Sequence, residues 1–245
     1  MSEQEKEQEK EQESEKELEK ELEEKFEEKK PLEYIPLSEI VRWNAHAGLY
    51  LAKTHPDWIK ESKKLYGKNE EINRKIGLFA ANICHIECDA IQNSANGNLI
   101  PGGGGMNGEV HKNAGPELSE ACLKIGRCDP GKTKITPAYH LPSKYILHSV
   151  GPDDQNLDLL KSAYQTALNY VSDKTFQIKS LALAALSTGT HSIPYEKATR
   201  VALSVVRDWL DVKDNLDNID LVIFVMNSPQ LFEVYERLML EYFPI

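Results

Sequence analysis

Two stretches of this chain place small and amide-bearing residues where chemistry is done. The first runs Gln92-Asn93-Ser94-Ala95-Asn96-Gly97-Asn98-Leu99-Ile100-Pro101, then Gly102, Gly103, Gly104 and Gly105, then Met106-Asn107-Gly108-Glu109-Val110-His111. An apolar strand pattern passes into polar amides, then four glycines, then the start of a helical pattern. Four residues without a Cβ let backbone N–H groups approach a ligand closely. The helix that follows adds the positive end of its dipole, and the combination suits a phosphate or diphosphate. The second stretch, Leu183-Ala184-Ala185-Leu186-Ser187-Thr188-Gly189-Thr190-His191-Ser192-Ile193-Pro194, repeats the plan with hydroxyls and one glycine. By itself it reads as a strand-to-helix turn. Beside the first stretch it reads as a second phosphate-embracing loop.

Other patterns compete. Gly126-Arg127-Cys128-Asp129-Pro130-Gly131-Lys132-Thr133 matches the nucleoside-triphosphate pattern G-x-x-x-x-G-K-[ST] letter for letter. That motif needs a strand before it and a helix after it. Here 117–125 reads as helix and 132–148 as strand, so the context is inverted. Cys84 and Cys88 have three residues between them but lack a second Cys/His pair, which leaves any zinc site incomplete. Ser187 is not in a G-x-S-x-G elbow, and no spacing picks a partner for it among seven histidines. No metal and no cofactor is expected.

The elements that must carry these loops follow from periodicity. Ile76–Ala80, Asp89–Ser94, Thr133–Thr136, Tyr145–Val150, Leu181–Leu186 and Leu221–Met226 are short, apolar and bounded by breakers, as buried strands are. Helical spacing predicts helices over Asn107–Ala114, Glu117–Ile125, Leu157–Val171, Tyr195–Leu210 and Gln230–Glu241. Pro116, Pro194 and Pro229 stand at expected first-turn positions. Upstream, a helical stretch is predicted from Ser38, with Ile40, Val41, Trp43 and Ala47 on one face, and another around Trp58, Ile59 and Leu65. Alternating strands and helices imply an α/β sandwich whose ligands sit beyond the carboxyl ends of strands.

Composition narrows the functional classes. The chain has 245 residues and a formal net charge of -10. Residues 1–30 hold 14 Glu and 7 Lys, so -7 of that charge lies in an acidic, low-complexity tail expected to be helical or disordered. The remainder carries only -3. Neither part has the basic surface of a general nucleic-acid or anionic-membrane binder. Four cysteines with no secretory signal pattern read as reduced thiols, and an intracellular, cytoplasmic or nuclear location is expected.

The run DAIQNSANGNLIPGGGGMNGEVHKNAGPEL resembles the signature of the macrodomain family. Similar matches continue in order through CDPGKTKITPAYHLPSKYILHSVGP, ALSTGTHSIPYEKATRVAL and the terminal YERLMLEYFP. YIPLSEIVRW and KNEEINRKIGLF resemble the N-terminal extension of the MacroD-type subgroup, whose members remove ADP-ribose from acidic side chains and hydrolyse O-acetyl-ADP-ribose. The resemblance implies a three-layer α/β/α sandwich with a mixed, mostly buried sheet over 75–245, a helical extension over 31–74, and a monomer. It implies ADP-ribose and mono-ADP-ribosylated proteins as partners.

Carried over position by position, it places Asn82 and Ile83 against adenine and Asn96 on the distal ribose. It places Gly102, Gly103, Gly104, Gly105 and Met106 around the first diphosphate loop, and Ser187, Thr188, Gly189, Thr190 and His191 around the second. Asn227 falls beside adenine, where the family often has an aromatic. Asn107 stands where the hydrolases have an Asp that helps activate or position water. An amide cannot accept a proton at neutral pH, so Asn107 can orient water but cannot be a general base. Asn96, Asn107 and His111 are the catalytic candidates, with His111 equally suited to bracing the loop. Pro101 is an apparent one-residue insertion, and His191 replaces an aromatic. Two functions follow: hydrolysis of ADP-ribosyl esters, assisted by the substrate's own phosphate, or reading of ADP-ribose without turnover. Asn and Asp are nearly isosteric, so Asn107→Asp is expected to leave the loop shape intact.

Overall fold

The apolar run Leu221-Val-Ile-Phe-Val-Met226 has no polar side, and a strand of this kind needs cover on both faces. In the computed structural model, which describes residues 34–102, 104–189 and 193–245, all six of these residues are buried. The strands are β1 (Ile76–Ala80), β2 (Ala90–Ala95), β3 (Thr133–Pro137), β4 (Tyr145–Val150), β5 (Ser180–Ala184) and β6 (Leu221–Met226). They form one sheet in the order β1-β6-β5-β2-β4-β3. All neighbours are parallel except β3, which runs antiparallel at the edge beside β4. The helices around it are α1 (Gly105–Ala114), α2 (Pro116–Ile125), α3 (Leu157–Ser172), α4 (Tyr195–Leu210), α5 (Lys213–Asn218) and α6 (Pro229–Tyr242). The result is a three-layer α/β/α sandwich around a mixed sheet.

Helix starts follow the side chains available. Asn156 caps α3 by accepting from the N–H groups of Asp158 and Leu159 at 3.0 and 3.1 Å, and Ser228 caps α6. Pro116 and Pro229 open their helices at the first turn. Pro194 sits one position earlier than expected, as the extended residue before α4. The α1 helix has Gly104 in the capping position and no side-chain cap, which leaves its first N–H groups for something else.

The upstream segment departs from its predicted pattern. Leu37–Glu39 is a single 3-10 turn, and the helical run starts at Trp43, not Ser38. Ile40 and Arg42 are extended because Arg42 bridges antiparallel to Gly77 at the sheet edge. Gly77 permits this approach: a Cβ there would lie 2.8 Å from Ile40 Cγ2. The run then continues through a π-helical stretch, His46–Leu51. Leu65 lies beyond the helix Pro56–Glu61, and its N–H donates to the Glu241 carbonyl at 2.8 Å. Three further carbonyls at the end of α6 are held in the same way. Arg207 Nη1 donates to Tyr242 O at 2.6 Å, Trp43 Nε1 to Phe243 O at 2.7 Å, and Asn73 Nδ2 to Pro244 O at 2.9 Å. The pattern did not predict Glu70–Arg74, Lys213–Asn218 or the two-residue pairing of Ile35–Pro36 with Ile86–Glu87. No helix among the described residues is long and apolar enough to cross a membrane. The tail 1–30 lies outside the described residues, as do Gly103, Thr190 and His191.

Candidate functional site

The five parallel strands all end on one side, and the residues just beyond their carboxyl ends enclose a single cavity of about 820 Å³. Asn82 and Ile83 follow β1, Asn96 follows β2, Gly151 follows β4, Ser187 follows β5 and Asn227 follows β6. Gly102, Gly104, Gly105, Met106, Asn107, Thr188 and Gly189, also expected at the site, line the same cavity, while Gly103, Thr190 and His191 lie outside the described residues. His111 does not line it. It is 5% exposed, faces Ser119 Oγ at 3.4 Å and packs 6.3 Å from the His148 ring, and burial holds its pKa below the usual histidine value. It therefore braces α1 from behind. The sequence reading missed Glu109, which lines the cavity and is the only ionisable side chain among the described residues that do. Its place four residues after Gly105, one turn along the same helix, was the available signal.

A buried amide network fixes the first loop. Parallel pairing of β2 with β4 sets Asn93 opposite His148, and both are fully buried. Asn93 Nδ2 donates to His148 Nδ1 at 3.2 Å and to Asn107 Oδ1 at 2.9 Å. His148 then carries its proton on Nε2 and donates to Thr136 Oγ1 at 2.9 Å. Burial, reinforced by nearby His111, pushes the His148 pKa down to about 3, so the ring stays neutral and the network keeps one polarity. Asn107 passes the restraint on: its Nδ2 donates to the Ile100 carbonyl at 2.9 Å. Asn96 Nδ2 donates to the same carbonyl at 2.7 Å, and the Ile100 N–H returns a bond to Asn96 Oδ1 at 3.2 Å. Asn96 thus ties its oxygen and one N–H to the loop, while Asn107 joins the loop to Asn93 on β2.

This changes the expectation for Asn107→Asp. A carboxylate keeps the bond from Asn93 but has no hydrogen for Ile100 O, so two acceptors would face each other. The shapes match but the polarity does not.

The second loop is braced by other means. Ser187 adopts φ 59°, and its hydroxyl donates to Pro152 O at 3.3 Å. Tyr164, wholly buried, accepts from the Leu186 N–H at 3.0 Å and donates to Ala184 O at 2.8 Å. The Thr188 hydroxyl turns back to Ala185 O at 2.9 Å. With both O–H groups occupied, neither hydroxyl is left to donate to a ligand.

The competing motifs resolve structurally. Gly126 ends α2 in the left-handed region, and Thr133 begins β3, so the triphosphate-like pattern lies between a helix and a strand. Its backbone is committed internally: Cys128 N–H donates to Gly97 O at 2.9 Å, and Gly131 O accepts from Ser162 Oγ at 2.8 Å. Lys132→Ala is therefore expected to leave ADP-ribose affinity unchanged within about twofold, with no magnesium-dependent ATP binding in either protein. Titration calorimetry checks both. All four cysteines are buried free thiols; burial pushes Cys84 and Cys88 up to about 12 and Cys122 up to about 11, and nearby Glu109 adds to the shift at Cys84. They are not nucleophiles at neutral pH. Among the described residues, no group of three or more His, Cys, Asp or Glu is placed to hold a metal ion.

Comparison with known proteins agrees with this geometry. The macro domain family model matches residues 92–202. The chain is 34% identical over 220 residues to the ADP-ribose glycohydrolase MACROD1 of Rattus norvegicus, covering 87% of this chain and 80% of that protein. It is also 34% identical to the MACROD1 of Bos taurus, again over 87% of this chain, but spans only 64% of that relative's length. The crystal structure of the Trypanosoma brucei macrodomain in complex with ADP superposes with a TM-score of 0.70 at 25% identity, covering 84% of this chain and 76% of that one. Fold and sequence both agree with these relatives, and the chain belongs to the macrodomain family.

Proposed function

We propose that the cavity binds ADP-ribose and that the protein hydrolyses ADP-ribosyl esters, on mono-ADP-ribosylated Asp or Glu side chains and in O-acetyl-ADP-ribose. The observation that carries this reading is the convergence of both loops, 102–105 and 187–189, on one cavity with no cationic side chain among its described lining residues. Backbone N–H groups at the uncapped end of α1 then supply the anion site. Relatives over most of the chain named as ADP-ribose glycohydrolases support the hydrolytic part.

In this mechanism the two loops hold the diphosphate and set the distal ribose beside Asn96 and Asn107. Asn107 cannot take a proton from water. Its Oδ1 and Nδ2 hold the loop to Asn93 and Ile100, so its contribution is positional. Proton removal from the attacking water falls to an oxygen of the ligand's own phosphate, which the loops orient. The same commitment of Asn107 favours a second reading, a reader of ADP-ribosylated proteins that turns nothing over.

One assay separates them. The full chain is incubated with a glutamate-ADP-ribosylated protein, and free ADP-ribose is followed in time. Release above the buffer control is expected. Calorimetric binding of ADP-ribose with no release would assign the reader function, and absence of both would reject the proposal.

A further inference from the structure

Resting on the reading of the cavity as an ADP-ribose site, we propose that Glu109 selects the base, accepting a hydrogen bond from the exocyclic amine of adenine. Glu109 is solvent-exposed, yet a carboxylate lining a site for a diphosphate still opposes its own ligand unless the ligand brings it a donor. Glu109 is the only ionisable side chain among the described residues lining the cavity, so no cation there offsets it.

Its position identifies the donor. The diphosphate belongs at the start of α1, beside Gly104 and Gly105. Glu109 lies one helical turn further, about 6 Å along the axis. The α1 helix packs there on the turn Ile83–His85, which follows Asn82. Ile83, Val225 and Leu231 supply the apolar wall of the cavity, which is where a flat base buries its faces. Asn82 is the other side-chain acceptor nearby, and its Oδ1 already holds the Cys84 N–H at 3.0 Å. Glu109 Oε2 accepts only a long bond from Asn113 Nδ2 at 3.4 Å, so its carboxylate is the stronger acceptor at the base end, and its bond to an amine is charge-assisted.

The test compares ADP-ribose with the analogue in which hypoxanthine replaces adenine, so that a carbonyl stands where the amine was. Calorimetry is run on the wild type and on Glu109→Gln, with folding of both checked by circular dichroism. The wild type is expected to prefer the adenine form by roughly tenfold, the size of one hydrogen bond to a charged group. Glu109→Gln removes the charge and offers an N–H to the carbonyl. Its adenine affinity is expected to fall while its hypoxanthine affinity rises, so that the preference drops to about twofold or less. If the substitution raises both affinities together, Glu109 acts only as a charge near the diphosphate, and the proposal is overturned. Equal binding of the two ligands by the wild type overturns it as well, while leaving the ADP-ribose reading intact. Failure of the wild type to bind either ligand overturns both.

Discussion

Gly104→Glu should abolish ADP-ribose binding while leaving the protein folded. A Cβ at Gly104 meets nothing within 4 Å, and its φ of 172° is extended backbone open to any residue. The fold therefore tolerates the side chain, and a Glu before the first turn of α1 even complements the helix dipole. That favourable contact is the reason for the loss. The new carboxylate takes the place at the helix end meant for the ligand's phosphate and repels what remains. Two unit charges about 4 Å apart at an effective dielectric of about 20 interact by roughly 4 kcal/mol. A loss of at least about 100-fold in affinity is expected, with a Tm within about 3 °C of the parent. Calorimetry and a thermal melt decide it. A folded variant that binds within threefold of the wild type would remove loop 102–105 from the anion site.

Asn107→Asp should accelerate ester hydrolysis at least about tenfold and destabilise the protein at the same time. General-base assistance is typically worth roughly 10²–10⁴-fold, and the lower figure allows for a carboxylate held slightly out of place. The destabilisation comes from Ile100, whose carbonyl would lose a donor at 2.9 Å and face an acceptor instead. The bond is only part-buried and the carbonyl keeps its donor from Asn96 at 2.7 Å, so the loss costs about 0.5–1.5 kcal/mol, a Tm decrease of roughly 1–5 °C. The new oxygen relieves the conflict by turning toward the cavity, which Asn107 already lines. Single-turnover release of ADP-ribose and a thermal melt measure the two effects together. An unchanged Tm would show that the Asn107–Ile100 bond restrains nothing. A lower Tm with no gain in rate would show that the site lacks more than a carboxylate at this position.

The sequence was most legible where one physical signal dominated. Ile76–Ala80, Tyr145–Val150 and Leu221–Met226 have the boundaries that their apolar runs and flanking breakers predict. Buried parallel strands tolerate little else. It was least legible where distant segments decide local shape. Ser38 looks like a helix start, yet pairing of Arg42 with Gly77 keeps the chain extended until Trp43. The positions lining the cavity were readable as two glycine-bearing loops. What those side chains do was not, because it depends on register: Asn93 meets His148 across 55 residues of sequence, and that pairing turns Asn107 toward the loop. Nor does a resemblance reveal that His111 faces Ser119 instead of the cavity, since that follows from how α1 packs on α2.

The four carbonyls at the end of α6 have a consequence for how the chain is made. Their donors are Trp43, Leu65, Asn73 and Arg207, three of which precede the sheet, and the longest of these bonds in sequence spans 200 residues. As the chain leaves the ribosome, the extension emerges early, with an indole N–H and an amide whose partners have not yet been synthesised. Segments that contact each other across most of a sequence close late, because the entropy of a long loop must be overcome before the contact repays it. The extension is thus a latch that engages only after residues 241–244 appear. Until then Trp43, fully buried in the finished protein, remains available to water, to chaperones and to other nascent chains.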